Sequence, residues 1–175
     1  MRLFVGIKVP ASALPAVEKA SAPLVDALGV KMVEKENLHL TLKFIGDTDE
    51  ETAKKIEDAL SAIKFSPFSV SLSGSGAFPD RHFPRAIWIG GKSEGAEKLA
   101  VEVEKALSFL NLKKERFTVH LTVARAPKSV GDIEDFLASV TGEVCGFEAT
   151  SFLLIKSKLT PVGPVYEVIK EYKAQ

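Results

Sequence analysis

The feature that most constrains this fold is a pattern that occurs twice, in residues 37–46 (NLHLTLKFIG) and in residues 117–125 (FTVHLTVAR). Apolar side chains fill alternate positions of each segment, which predicts a β-strand with one buried face. The opposite face of each strand carries a histidine followed two residues later by a threonine. The chain contains only three histidines, so two of them in equivalent positions indicate a duplicated fold.

The segments around the two copies also repeat in order. Hydrophobic periodicity predicts a strand and a helix before each copy, and a helix and a closing strand after it. Thr48 with Glu51, and Ser129 with Asp132, are the predicted caps of the later helix in each half. The predicted segments are strand 2–9, helix 12–28, helix 48–63 and strand 68–78 in the first half, and strand 85–91, helix 93–110, helix 129–140, strand 147–159 and a last strand 165–172 in the second half.

This order predicts the α+β class. We expect a duplicated bilobal fold in which two mainly antiparallel sheets, related by a pseudo-two-fold axis, surround a central groove with helices outside. No linker, low-complexity tract or charge block separates the halves. Residues 1–175 are therefore expected to form a single domain made of two intertwined similar lobes.

Composition limits the classes of function. The 23 basic residues balance the 23 acidic ones, so no overall positive field attracts nucleic acid, and RNA binding would need local basic groups. The single cysteine, Cys145, excludes an internal disulfide and a cysteine-based metal site. The N-terminal residues contain no long apolar core, and no segment approaches the ~20 apolar residues of a membrane span. We therefore expect a cytoplasmic protein without a membrane partner.

Two histidines on one groove suit acid–base chemistry at phosphorus. The ordinary pKa of an imidazole, ~6.5, allows one neutral ring to activate water while one protonated ring donates to the leaving oxygen. Threonine hydroxyls on the same face can donate hydrogen bonds to the non-bridging phosphate oxygens. One His-x-Thr pair is usually structural, but two equivalent copies favour a shared site. The residues alone leave open which histidine is the acid.

A zinc site is the alternative use of two histidines. Catalytic zinc usually takes three protein ligands. His82 is the remaining histidine, and neither Asp47 nor Asp80 shows the spacing of a metal ligand. The sequence therefore favours chemistry without a metal or cofactor.

The two motifs resemble those of a known family. HLTL and HLTV are similar to the paired His-x-Thr-x motifs of the two-histidine (2H) phosphoesterase superfamily. Nearly end to end, the chain resembles the RNA 2′,3′-cyclic phosphodiesterases, historically named 2′-5′ RNA ligases. The opening RLFVGIKVP, the central GAFPDRHFPRAIWIG and the closing SKLTPVGPVYEVI also resemble that family.

The resemblance implies hydrolysis of RNA 2′,3′-cyclic phosphate ends to 2′-phosphates without a cofactor or metal, with 2′-5′ RNA ligation as the reverse reaction. It implies His39 as the proton donor, His120 as the proton acceptor, and Thr41, Thr122 and Arg125 as phosphate-binding residues. The implied partner is RNA with such ends, tRNA fragments included, and a monomer is the expected state. The alternatives are a phosphodiesterase for another cyclic or 2′-5′ linked nucleotide, and a non-catalytic module that binds RNA ends.

Strict alternation makes three further predictions about the motif strands. It places Lys43 on the groove face, where a solvated lysine at the strand end is the alternative, and it places Phe44 on the buried face. It places Arg125 away from the groove, where a surface or interlobe ion pair is the alternative role, unless the strand bends or ends before Ala124.

Other basic and aromatic residues could contact RNA outside the motifs. Residues 80–85, 113–116 and 156–158 could follow a phosphate backbone, although a solvated surface is the alternative for each. The candidates for stacking a base are Phe78, His82 and Phe83.

Overall fold

The computed structural model describes residues 1–128 and 131–175, so the predicted helix cap Ser129 lies outside the described residues. In this part of the chain the strands are β1 (Arg2–Lys8), β2 (Lys31–Met32), β3 (His39–Asp47), β4 (Phe68–Phe78), β5 (Ala86–Lys92), β6 (His120–Arg125), β7 (Glu143–Ala149), β8 (Ser151–Thr160) and β9 (Gly163–Lys173). The α-helices are α1 (Leu14–Ser21), α2 (Glu50–Ser61), α3 (Glu94–Ala106) and α4 (Glu134–Ser139). None of the described helices is long and apolar enough to cross a membrane.

The strands form one continuous antiparallel sheet. Its order is β7-β4-β5-β6-β3-β1-β8-β9, and the short β2 pairs with β6. The central strands β3 and β6 are joined at a single residue pair, Leu40 with Leu121. The two predicted sheets are therefore the two halves of one curled sheet, and the α+β class with antiparallel strands is confirmed.

The order of the strands is symmetric about the central pair. Next to β3 and β6 lie β1 and β5, which are the opening strands of the two halves. Beyond them, β4 from the first half pairs with β5, and β8 from the second half pairs with β1. Each half thus places a closing strand in the other half of the sheet. This exchange supports the interpretation of residues 1–175 as one domain of intertwined lobes, which stays a prediction.

The hydrophobic core lies between the sheet and the helices. Leu40 and Leu121 are fully buried there, whereas the neighbouring histidines and threonines are only partly buried. The amphipathic helix α3 packs on β3 and buries the apolar side of both elements. The opposite face of β3 and β6 stays open, which positions the groove. The buried apolar helix residues that supply this core are Val17 of α1, Ala53, Ile56 and Leu60 of α2, Ala96, Leu99, Ala100 and Val103 of α3, and Phe136 of α4.

Several predicted boundaries differ from the structure. The predicted helix 12–28 is α1 with short 3-10 turns on both sides. The carboxylate of Asp49 caps α2 by accepting a 2.7 Å hydrogen bond from the Thr52 backbone N–H, so the predicted cap at Thr48 is wrong. The predicted helix 129–140 is represented in the described residues by the shorter α4.

The predicted closing strand 147–159 is wrong as a single element. The chain leaves the ladder at Thr150, where β7 ends and β8 begins. β7 pairs with β4 at one edge, and β8 pairs with β1 on the other side of the sheet. A continuous β-type sequence cannot reveal this crossing, because it depends on partners distant in the chain.

Candidate active site

The open faces of β3 and β6 line one cavity of about 380 Å³. This volume lies in the range of pockets that bind small ligands. The β8–β9 turn and the segment that follows β2 form its other walls. The five predicted site residues, His39, Thr41, His120, Thr122 and Arg125, all belong to the lining.

The pairing of β3 with β6 sets the spacing of the polar groups. Leu40 pairs with Leu121, so in an antiparallel register each motif histidine faces the threonine of the other strand. The two histidines are then diagonal neighbours, whose Cβ atoms typically lie about 7–8 Å apart. A single phosphate between the rings is compatible with that separation.

Both imidazole rings are held in the same way. Nδ1 of His39 contacts the backbone carbonyl of Asn37, and Nδ1 of His120 lies 2.9 Å from the carbonyl oxygen of Thr118. Because a carbonyl can only accept, Nδ1 carries the hydrogen in each ring. Nε2 of each ring is therefore left to accept or donate a proton, as acid–base catalysis requires.

Aromatic side chains support both rings from behind. His39 stacks on Phe4 with ring centroids 4.7 Å apart and meets Tyr166 edge-on at 5.1 Å. His120 lies edge-on to Phe78 at 5.3 Å and to Trp88 at 6.4 Å. These contacts restrict each ring to one orientation. Phe78, which the sequence suggested as a base-stacking residue, has this supporting position, and its role in stacking a base stays a prediction.

The environment of His39 changes its protonation. Burial lowers the pKa of His39 from 6.5 to about 4, and the positive charge of Arg125 acts in the same direction, against a smaller opposing effect of the Asn37 carbonyl. In the free protein at pH 7, His39 is therefore neutral.

A register shift in β3 exchanges the expected places of two residues. The pairing with β1 skips Leu42, so Leu42 and Lys43 are both buried on the side of the core rather than exposed to the groove. Lys43 is 9% exposed, and its Nζ donates to the Lys113 carbonyl at 2.8 Å and lies 3.9 Å from Glu104. Phe44 is 62% exposed and lines the cavity. The predictions of a groove-facing Lys43 and a buried Phe44 are wrong, because a β-bulge moves the alternation by one residue.

The same irregularity in β6 brings Arg125 into the cavity. The pairing with β5 skips Val123, and both Val123 and Ala124 are buried. Arg125 is consequently exposed on the groove side, which is the bend that its participation required.

Phe44 is one of the lining residues that the sequence analysis missed, as are Lys31 and Tyr166. Phe44 and Arg125 occupy equivalent positions, five residues after the histidine of their motif. Aligning HLTLKF with HLTVAR would have identified Phe44 once Arg125 was assigned to the groove. The equivalent positions differ in chemistry, because a ring can stack on a base and a guanidinium can bind phosphate.

Two of the three basic segments lie away from the site, whereas Arg116 of the third lines an adjoining cavity together with Thr41, Phe44 and His120. Residues 80–85, 113–116 and 156–158 supply none of the described lining residues of the cavity. Arg81 is paired with Glu134 on the surface. The remaining stacking candidates, His82 and Phe83, are exposed outside the cavity. Within residues 1–128 and 131–175, no group of three or more His, Cys, Asp or Glu side chains is placed to hold a metal ion.

A family model matches the first half of this chain, and several known proteins match nearly all of it. The family model of the LigT-like phosphoesterases matches residues 7–88. An RNA 2′,3′-cyclic phosphodiesterase of Archaeoglobus fulgidus is 39% identical over 99% of this chain and 100% of its own length. One from Methanocaldococcus jannaschii is 40% identical over 98% of this chain and 100% of its own.

Solved structures of similar proteins have the same fold as this chain. A crystal structure of a Thermus thermophilus protein, 27% identical, superposes with a TM-score of 0.87 over 99% of this chain and 97% of its own. Escherichia coli LigT complexed with 3′-AMP, 23% identical, gives a TM-score of 0.80 over 99% of this chain and 97% of its own. The likeness to the E. coli protein concerns the fold alone.

Proposed function

Because this chain belongs to the LigT-like phosphoesterase family, we propose that it hydrolyses the 2′,3′-cyclic phosphate ends of RNA to 2′-phosphates. The observation that carries the proposal is that two oriented histidines and two threonines line one cavity. The names of the full-length relatives from Archaeoglobus and Methanocaldococcus support the choice of substrate.

The proposed reaction is an in-line displacement at phosphorus. His120 accepts a proton from water through Nε2, and the water oxygen forms a bond to phosphorus. The bond from phosphorus to O3′ breaks, and His39 donates its Nε2 proton to O3′. The product is a 2′-phosphate with a free 3′-hydroxyl. The two rings have then exchanged protonation states, and solvent restores them.

The other lining residues bind the substrate in this proposal. The hydroxyls of Thr41 and Thr122 donate to the non-bridging oxygens, where negative charge increases in the transition state. Arg125 neutralises the same phosphate. Phe44 stacks on the terminal base. These roles need only protein groups, so the proposed reaction proceeds without a metal.

The proton-donor role of His39 depends on the substrate. In the free protein, burial holds the ring neutral at pH 7. A bound phosphate brings a negative charge next to the ring, and an adjacent opposite charge favours the imidazolium. Substrate binding is therefore expected to raise the pKa of His39 and to load the proton that O3′ receives.

Ligation is the same chemistry with a different nucleophile. An RNA 5′-hydroxyl in place of water would form a 2′-5′ phosphodiester as the bond to O3′ breaks. This outcome requires two aligned RNA ends and the exclusion of water. Action on tRNA fragments, a monomeric state and a cytoplasmic location stay predictions.

Product analysis tests the proposed function. The protein is incubated in EDTA with 2′,3′-cyclic AMP and with a short RNA that ends in a 2′,3′-cyclic phosphate, and chromatography separates 2′- from 3′-phosphates. We expect clean 2′-phosphate, and a loss of roughly 10²–10⁴ in rate for His120→Ala. The matched control is His82→Ala, which removes the exposed loop histidine and should retain full activity.

Other outcomes would contradict the proposal. Loss of turnover in EDTA with recovery on adding zinc would refute the metal-independent mechanism. Retained RNA binding without any product would favour the non-catalytic module. A much higher kcat/KM on a different cyclic or 2′-5′ linked nucleotide would reassign the substrate.

A further inference from the structure

A second cation lies beside Arg125 at the edge of the cavity. Lys31 of β2 is the cross-strand partner of Arg125 in β6. Residues directly opposite in an antiparallel pair project to the same face, with Cβ atoms about 4.5–5.5 Å apart. Both side chains belong to the lining of the cavity. They therefore present two positive charges next to each other.

The two cations differ in what surrounds them. Arg125 is close enough to His39 for its positive charge to lower the pKa of that ring. Lys31 is exposed, and among the described residues it makes no ion pair. The carboxylates of Glu34 and Glu36 also line the cavity. These two carboxylates balance the charges of Lys31 and Arg125 over the cavity as a whole. Binding of a second phosphate therefore depends on where the Lys31 ammonium lies.

The β8–β9 turn holds the Lys31 ammonium in place. Its Nζ donates a hydrogen bond to the backbone carbonyl of Val162. Gly163 allows this approach, since a Cβ there would lie 3.1 Å from Nζ, and its φ of +137° would strain any other residue. An ammonium has three donors. With one N–H on Val162, Lys31 keeps two for an anion in the cavity.

We propose that Lys31 binds the phosphodiester group that joins the terminal nucleotide to the preceding one. This inference rests on the proposed function. In this binding mode the cyclic phosphate lies between the histidines and beside Arg125, and the next phosphate of the strand lies beside Lys31, the cross-strand neighbour of Arg125. Lys31 is the second cationic residue among the described lining residues of this cavity, whereas Arg116 lines the adjoining cavity with Phe44 and His120 and has no strand pairing with Arg125. A free cyclic mononucleotide lacks that phosphate, so Lys31 distinguishes an RNA end from a cyclic nucleotide.

Steady-state kinetics of Lys31→Gln on two substrates test this inference. For a short RNA with a 2′,3′-cyclic phosphate end, KM should rise about fivefold at low salt, as for loss of one exposed ion pair. The slope of log KM against log salt concentration should fall by about 0.7, the value for one phosphate contact on a single strand. KM for 2′,3′-cyclic AMP should rise much less, because that substrate has no second phosphate to contact Lys31. Lys31→Arg should restore most of the affinity for RNA.

The control is Lys54→Gln, which removes an exposed lysine of α2 that does not line the cavity. It should leave KM for both substrates unchanged, and also the slope of log KM against log salt concentration. Equal increases in KM for RNA and for cyclic AMP in Lys31→Gln would refute the inference, because they would mean that Lys31 only holds the β8–β9 turn. Unchanged KM for both substrates would refute it as well.

A binding assay separates this inference from the proposed function. If the wild-type protein hydrolyses neither substrate, the proposed function fails. Fluorescence anisotropy with an RNA that ends in a 2′-phosphate then gives the Kd of the Lys31→Gln and Lys54→Gln variants at several salt concentrations, without turnover. A slope of log Kd against log salt concentration that is lowered only in Lys31→Gln would still support the phosphate contact. Equal slopes for the two variants would overturn it.

Discussion

Burial of the His39 ring should make the stability of the fold depend on pH. The pKa of His39 is about 4 in the folded protein, against 6.5 for an exposed ring. Between these values the unfolded chain binds more protons than the folded one, so the free energy of unfolding decreases as the pH falls. A difference of about 2.5 pH units corresponds to about 3 kcal/mol. This contribution is complete above pH 6.5 and is lost by about pH 4.

Urea unfolding of wild type and His39→Gln at pH 7 and at pH 4 measures this contribution. Carboxylates also titrate in that interval, but they are common to both proteins and cancel in the difference. The stability of wild type relative to His39→Gln should therefore decrease by about 3 kcal/mol between pH 7 and pH 4. The control His82→Gln removes an exposed histidine and should change stability by less than about 0.5 kcal/mol.

A stability difference between wild type and His39→Gln that is the same at both pH values would refute the reasoning. So would an NMR titration that finds the His39 ring half-protonated near pH 6.5. The same titration with 2′-AMP bound tests the proton-donor assignment. If the pKa of His39 stays near 4 in that complex, His39 is the proton acceptor and the two histidines exchange roles.

Two further substitutions test the β-bulge and the packing behind His120. Phe44→Ala should raise KM for cyclic AMP about tenfold, because a base-stacking contact is lost. The control Phe83→Ala should leave KM unchanged. Equal KM values for the two variants would show that Phe44 does not bind the base. Gly76→Ala would place a Cβ 2.3 Å from the Trp88 ring and should lower the free energy of unfolding by about 1–3 kcal/mol. In the control Gly142→Ala, the added Cβ meets no atom within 4 Å. Equal free energies of unfolding in urea for the two alanine variants would contradict this packing argument.

Local alternation was sufficient to predict the two motif strands. His39 and Thr41 project to one face of β3 because successive residues of a strand point to opposite sides, and His120 and Thr122 do the same in β6. The duplication then predicted that the two polar faces meet. The cavity contains all four residues, since each strand kept its alternation up to the bulge.

The places of Lys43, Phe44 and Arg125 could not be predicted in this way. Each lies beyond a bulge, and each bulge arises where the motif strand pairs with β1 or β5. A bulge changes the register between two strands, which is a property of their pairing rather than of either sequence. Alternation counted along one strand therefore fails after the irregularity.

The sequence by itself determined the class of fold, the positions of the motif strands and the identity of the four groups that face each other. Only the tertiary structure decided that one sheet carries both halves, that closing strands are exchanged, and that Phe44, Arg125 and Lys31 share a cavity. Side-chain alternation depends on residues adjacent in the chain. Strand order, bulges and the position of the β8–β9 turn depend on residues far apart in the chain, which meet only when the sheet forms.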